Sequence, residues 1–216
     1  MLTLKWFGHA MWSVETDNYR IVIDPFTNIG YDMPTDLTAD VVVSSHEHFD
    51  HNNFKLILPT FQKITQIGSY QLKKCKIKLI EASHGVLNEK SLGDIYMILI
   101  YIDGYTILHC GDLGVVPDEA LLKEIGTIDI LMIPVGGQYT INAEQAKETI
   151  DLLNPALVFP MHYKTEKCNI EIIDTIEPFV NLYPNIERID SDVFEISENT
   201  LNKNKQRIIK LNYEKI

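Results

Sequence analysis

The chain of 216 residues lacks several features that would each point to a particular class of protein. Its 19 basic residues are outnumbered by 30 acidic ones, and a net charge of −11 argues against a surface built to bind nucleic acid phosphates. No apolar run is long enough to span a membrane, and the first residues lack the basic start and apolar run of an export signal. We therefore expect a cytoplasmic protein with neither nucleic acid nor membrane among its partners.

Cysteine is also scarce. Cys75, Cys110 and Cys168 are an odd number without C-x-x-C spacing, which excludes a disulfide framework and a cysteine zinc knuckle. No Gly/Ser linker, low-complexity tract or repeat divides the chain, so residues 1–216 are predicted to form one domain. The sequence leaves open whether copies of the chain associate into a homo-oligomer.

Strand patterns dominate the first half of the chain. Short runs rich in β-branched and aromatic residues predict strands over 2–7, 11–16, 20–24, 40–45, 74–79, 95–102 and 105–109. The pair Asp103-Gly104 is typical of a two-residue hairpin turn between the last two of these strands. Residues 52–58 are predicted to form a short helix.

Strands alternate with helices in the second half. One helix is predicted to begin after Pro117 and to end at Gly126. Asn142 begins a second predicted helix, and a third is expected over 169–180. Strands are predicted over 129–134, 156–161, 188–189, 193–196 and 207–211. Two packed sheets with helices outside would satisfy both halves of the chain.

Seven histidines are the most informative feature of the composition. Three of them lie in the segment SHEHFDH at 45–51, where a buried strand gives way to the next element. Imidazole and carboxylate groups suit zinc and related divalent metals. His46 and His48 can point to one metal, while Asp50 and His51, one step around the turn, can point to a second. A solvated polar loop explains this spacing far less well than metal binding does.

The H-x-H-x-D-H segment resembles the signature of the metallo-β-lactamase superfamily, and the resemblance covers most of the chain. The family's other motifs have counterparts in order, and these contain Asp24, His84, Asp112 and His162. The resemblance implies an α+β fold, a four-layer αββα sandwich with two metals at one edge between the sheets. It also implies that His84 completes the first metal site, that Asp112 bridges both metals and that His162 completes the second. Asp24 would support the site from behind.

Shorter segments resemble one branch of that superfamily, the simple hydrolases similar to L-ascorbate-6-phosphate lactonase. These segments are Gly8-His9-Ala10, the run at 134–137 and Tyr139-Thr140. His9 and His109 are not needed as ligands. They are expected either to support the site or to touch substrate, where one of them could protonate the leaving group.

Four further residues have predicted roles near the site. Glu47 occupies a variable position of the signature and is expected to support or pack beside the ligands. Lys164 is a candidate for gripping a carboxylate or phosphate, although a solvated surface lysine is an equally good interpretation. Tyr139 and Thr140 follow a glycine pair and are expected to line the substrate-binding mouth.

The predicted function is hydrolysis by two divalent metal ions, zinc first, with manganese or iron as alternatives. A hydroxide bridging the metals would attack a small ester, lactone or similar carbonyl, and Asp50 would orient it and accept its proton. Only 49 residues separate Asp112 from His162, too few for a large inserted domain, which favours a small-molecule substrate. A phosphodiesterase of the same fold and a non-catalytic metal-binding protein are the alternatives.

Overall fold

Two β-sheets account for most of the regular structure in the computed structural model, which describes residues 1–197, 200–202 and 205–213. The six-stranded sheet contains, in spatial order, β15 (Val193–Ile196), β1 (Leu2–Trp6), β2 (Trp12–Thr16), β3 (Tyr19–Ile23), β4 (Val41–Val43) and β5 (Gln62–Ile64). The eight-stranded sheet contains β14 (Glu187–Ile189), β16 (Arg207–Leu211), β13 (Leu157–Met161), β12 (Ile130–Pro134), β11 (Tyr105–His109), β10 (Asp94–Ile102), β7 (Cys75–Ser83) and β6 (Gly68–Gln71). β8 (Val86–Leu87) and β9 (Lys90–Ser91) form a separate hairpin.

Strand direction brings the ends of several strands to one edge of the molecule. β3 and β4 are parallel, and so are β11, β12 and β13. β7 and β11 both run antiparallel to β10, so they share a direction. The carboxyl ends of β7, β11 and β13 therefore meet at the same edge of their sheet.

Alternating side chains in the strands form two buried clusters. Ile21 and Ile23 of β3 face the main core between the sheets, where the rings of Trp12 and Phe159 lie 5.6 Å apart between centroids. Val22 faces the opposite side and packs in a second cluster with residues of the 25–40 loop. This alternation is the period of two that a strand imposes.

The helices lie beside the eight-stranded sheet. α1 (Glu119–Ile125) packs against β7, and α2 (Ala143–Leu153) crosses from β12 to β13, with α3 (Glu177–Asn181) beside it. The predicted start of α2 is confirmed: the Asn142 side chain accepts from Gln145 N at 2.9 Å, and Gln145 Oε1 accepts from Asn142 N at 3.0 Å. This reciprocal capping box satisfies two helix-end donors.

Two helix predictions differ from the structure. The helix expected over 169–180 is wrong for most of its length, because only Glu177–Asn181 is helical. The Asp174 N–H donates to the Gly136 carbonyl at 2.7 Å, and the Asp174 carbonyl accepts from Lys164 N at 2.8 Å. These tertiary hydrogen bonds replace the ladder that a helix would need. The helix expected over 52–58 is a single 3-10 turn, Phe54–Leu56.

Two other expectations from the composition can be compared directly with the structure. The three cysteines are unpaired, as predicted, and all three are buried. Among the described residues, no helix combines the length and apolar character needed to cross a membrane.

Candidate metal centre

The predicted ligands and Asp24, the predicted supporting residue, follow the ends of five strands and converge at one edge. Asp24 follows β3, the segment from Ser44 to His51 follows β4, His84 follows β7, Asp112 follows β11 and His162 follows β13. His9 joins them from the loop between β1 and β2. Because each residue is anchored at a strand end, the rigid sheets fix the relative positions of the side chains.

The side chains form two donor groups and a third set that joins them, His46, His51 and Asp112. The candidate ligand atoms of each set all lie within 4.8 Å of one another. The first group is His46, His48 and His84, and the second is His9, Asp50, His51 and His162. In the first group His46 Nε2 and His48 Nδ1 are 2.8 Å apart. His48 is the exposed member, whereas the histidines of the second group are all buried.

The carboxylate of Asp112 lies between the two groups. Its Oδ2 atom is 3.6 Å from Nε2 of His84 in the first group and 3.2 Å from Nε2 of His51 in the second. Its Oδ1 atom is 3.4 Å from Nε2 of His162. A buried carboxylate that reaches both groups is the arrangement a bridging ligand requires.

Asp24 contacts both donor groups through hydrogen bonds, one group directly and the other through Ser45. Its Oδ1 atom accepts from Ser45 N at 2.6 Å, and its Oδ2 atom accepts from Ser45 Oγ at 2.8 Å. The same Oδ2 lies 3.0 Å from His51 Nδ1. Ser45 Oγ in turn lies 2.9 Å from His46 Nδ1. Asp24 therefore fixes the ring of one histidine directly and that of another through Ser45.

Burial and mutual charge set the protonation of the cluster. Burial, followed by repulsion from His51, lowers the pKa of His46 to about 3. Although burial opposes ionisation of Asp112, the charges of His162 and His51 hold the pKa of that carboxyl well below its usual range. At neutral pH the cluster thus offers an imidazole lone pair at His46 and an ionised carboxylate, the forms in which these groups bind metals.

Unsatisfied atoms in the cluster fit a bound cation. Nine buried side-chain nitrogen or oxygen atoms of the described residues lack a hydrogen-bond partner, and six of them belong to this cluster. They include His51 Nε2, Asp112 Oδ1 and both ring nitrogens of His9. An unsatisfied buried polar atom costs about 1–3 kcal/mol. A divalent cation could bind one nitrogen of each ring and a carboxylate oxygen, which would reduce that cost, so the residues fit bound metal.

His109 is placed differently from the ligand histidines. Its Nε2 donates to the Ala10 carbonyl at 2.8 Å, and its Nδ1 accepts from Gly111 N at 3.1 Å. The ring is fully buried, and Nδ1 lies 4.0 Å from Asp24 Oδ2. With both ring nitrogens bonded to backbone, His109 ties the end of β11 to the loop that carries His9.

The remaining predicted residues lie around or away from the two donor groups. Glu47 is exposed, and no hydrogen bond or ion pair joins it to the described part of the cluster. Lys164 Nζ donates to Glu171 at 2.6 Å, and Lys164 lines a cavity of about 660 Å³ with Trp6 and Tyr163. None of the seven histidines lines that cavity.

The residues predicted to line the mouth, Tyr139 and Thr140, occupy a turn. Thr140 is buried and donates its hydroxyl to the Ile141 carbonyl at 3.2 Å. Tyr139 is partly buried and packs against the cluster that contains Phe26. Ser45, by contrast, had no predicted role, and the only signal for it is a small polar residue directly before the histidine motif.

Comparison with known proteins is consistent with this geometry. The profile of the beta-lactamase superfamily domain matches residues 3–162, a range that contains every predicted ligand. A metal-dependent hydrolase of Bacillus licheniformis is 30% identical over 196 residues, which cover 76% of this chain and 86% of that protein. A metal-dependent hydrolase of Carboxydothermus hydrogenoformans is 28% identical over 193 residues, which cover 76% of this chain and 85% of that protein.

Solved structures agree with the sequence comparisons. A protein of Thermotoga maritima, described as a zinc-dependent hydrolase of the metallo-β-lactamase superfamily, is 33% identical with a TM-score of 0.80, covering 98% of this chain and 99% of its own. A metallo hydrolase of Ignicoccus hospitalis is 25% identical with a TM-score of 0.68, covering 91% of this chain and 99% of its own. These similarities confirm the predicted sandwich fold. The chain therefore belongs to the metallo-β-lactamase superfamily and is a metal-dependent hydrolase.

Proposed function

We propose that this hydrolase uses two divalent metal ions to cleave a small ester, lactone or similar carbonyl substrate. The observation that carries the proposal is the Asp112 carboxylate, which lies between two donor groups that could each hold one ion. Imidazole and carboxylate donors favour zinc, with manganese and iron as the other metals that suit the same ligands. When bound, such a pair lowers the pKa of a water from about 16 to roughly 7 and polarises a carbonyl oxygen.

Asp50 is the residue proposed to transfer the proton from the attacking water to the leaving group. Its side chain is 14% exposed, and its Oδ2 atom lies 3.4 Å from His9 Nε2 and 3.9 Å from His51 Nε2. Although burial raises it, the polar contact with His9 and the charge of His51 lower the pKa of Asp50 below its usual value. Asp50 is therefore ionised at neutral pH and can accept a proton from the attacking water, then return it to the leaving group.

Neither histidine predicted as a proton donor is assigned that step in this proposal. His109 has both ring nitrogens bonded to backbone, and His9 is fully buried. Asp50 retains an exposed fraction, so it is the better placed to meet a leaving group.

Exposed apolar side chains beside the ligands support a substrate with an apolar part. Phe49 is 65% exposed next to His48, Val86 is 66% exposed two residues after His84, and Val115 is 40% exposed three residues after Asp112. The segments carrying the two valines are in contact, because Gly114 N donates to the Ser83 carbonyl at 2.9 Å. Lys164, the residue predicted to bind an anionic group, instead donates a hydrogen bond to Glu171. A neutral carbonyl substrate fits these surroundings better than a phosphodiester.

Phe49→Ala is expected to lower kcat/KM for esters with long apolar chains by roughly five- to thirtyfold, while changing that for acetyl esters little. The reason is that burying an aromatic ring against a substrate contributes about 1–2 kcal/mol. Steady-state kinetics over a series of chain lengths measures the effect. The control is Leu152→Ala, which removes a half-exposed apolar side chain on α2, away from the ligands. An equal loss for every chain length would contradict an apolar contact at Phe49.

A substrate panel tests the proposed reaction. The protein, with its metal restored, is expected to give a higher kcat/KM for lactones and carboxylic esters than for bis-p-nitrophenyl phosphate. A preference for the phosphodiester would support the phosphodiesterase alternative and overturn the proposal. Tight metal retention without turnover of any substrate would support the non-catalytic alternative.

A further inference from the structure

His9 lies in a tight loop whose shape is fixed by contacts far along the chain. Its backbone φ of 49° and the φ of 97° at Gly8 are both left-handed. A Cβ on Gly8 would meet the ring of Tyr31 at 2.4 Å, so only glycine fits there. The His9 carbonyl accepts from Trp6 Nε1 and from His162 N, each at 3.0 Å. The loop is thereby tied directly to a predicted ligand.

The imidazole of His9 lies inside the second donor group. Its Nε2 atom is 3.4 Å from Asp50 Oδ2, and its ring centroid is 3.9 Å from that of His162 and 5.5 Å from that of His51. The side chain is fully buried, yet neither ring nitrogen has a hydrogen-bond partner among the described residues. A ring that only packed there would leave two polar atoms unsatisfied at a cost that an apolar side chain would avoid.

We infer that His9 is a ligand of the second metal position, together with Asp50, His51 and His162. The inference rests on the proposed two-metal function and adds a donor that the H-x-H-x-D-H pattern does not contain. It makes the centre asymmetric. The second position gains four side-chain donors from three chain segments, and its histidines are all buried, whereas the first depends on three histidines, one of them exposed. The second position therefore binds its ion more tightly than the first.

The native chain allows a direct count of histidine ligands. The metal-free protein, with isotope-labelled histidine, is loaded with the spin-active cadmium isotope, and NMR detects one-bond coupling from cadmium to ring nitrogen. We expect coupling for His9 as well as for the five predicted histidine ligands, and none for His109. Coupling for those five without His9 would overturn the assignment of His9 alone. Coupling for no histidine would overturn the proposed metal site itself.

His9→Asn provides a second test that does not depend on activity. Asparagine tolerates the left-handed backbone at this position better than alanine does. The measurement is a metal titration against a chelating competitor. We expect the dissociation constant of the tighter ion to rise by more than about tenfold. Loss of a residue that only supports a ligand already weakens metal affinity by about 10–100-fold. His48→Asn, the control, should weaken the looser ion instead. A folded His9→Asn protein with both affinities unchanged would contradict the inference.

Discussion

Asp112→Asn is expected to lower kcat/KM by more than about a hundredfold and to reduce the metal content of the purified protein. Loss of a residue that only supports a ligand costs 10–100-fold, and Asp112 contacts both donor groups directly. Asparagine keeps the shape of the side chain but removes the negative charge that would hold two cations close together. The two metal positions should therefore weaken together, which no other single ligand substitution is expected to cause.

Elemental analysis and steady-state kinetics on the same preparation would measure both effects of Asp112→Asn. The matched control is Asp118→Asn, because Asp118 caps α1 through a side-chain hydrogen bond to Leu121 N and asparagine caps a helix equally well. That variant should match the wild type in metal content and rate. Wild-type metal content and activity in Asp112→Asn would rule out a bridging role for this carboxylate.

Asp24→Ala is expected to destabilise the fold by about 3–5 kcal/mol, the cost of removing one partner from a buried charged pair. Its carboxylate is fully buried and accepts from Ser45 N and Ser45 Oγ. Although burial opposes it, Asp112 and Asp24 raise the pKa of His51 well above its usual value. In the metal-free protein the substitution therefore leaves a charged, buried imidazole with one carboxylate instead of two.

Urea unfolding of metal-free Asp24→Ala measures this loss of stability. Asp40→Ala is the control, because Asp40 also accepts a backbone hydrogen bond, from Arg20 N at 2.8 Å, but at the exposed end of β4. Asp40→Ala should change the free energy of unfolding by no more than about 1 kcal/mol. If the free energy of unfolding of Asp24→Ala lies within about 1 kcal/mol of the wild-type value, the contacts of Asp24 with His51 and Ser45 do not stabilise the fold as expected.

The strand ends explain why so much of the candidate site could be predicted. A continuous apolar run at 40–45 predicts a buried strand, and the ligand segment begins where that run stops. Asp112 and His162 likewise follow predicted strands. His84 follows β7, which extends to Ser83, beyond the end predicted at residue 79. Strand direction brings the ends of β7, β11 and β13 to one edge. Local pattern and sheet geometry therefore agree at Asp112 and His162.

Residues whose surroundings depend on distant loops could not be predicted in the same way. The position of His9 depends on hydrogen bonds from Trp6 and His162 to its carbonyl. The bond from His162 joins residues far apart in the chain, so no local sequence pattern predicts it. Lys164 follows His162, whose backbone φ of 51° turns the chain, so sequence spacing does not reveal that Lys164 pairs with Glu171. The helix expected over 169–180 fails for a related reason, since Asp174 bonds to Gly136 rather than along a helix.

Elemental analysis of the native protein, followed by metal removal and stepwise return, tests whether hydrolysis depends on two metal ions. We expect about two equivalents of zinc, manganese or iron per chain, loss of esterase or lactonase activity on chelation, and its return as the second equivalent binds. Full activity in protein with less than about one equivalent of metal would contradict a two-metal reaction.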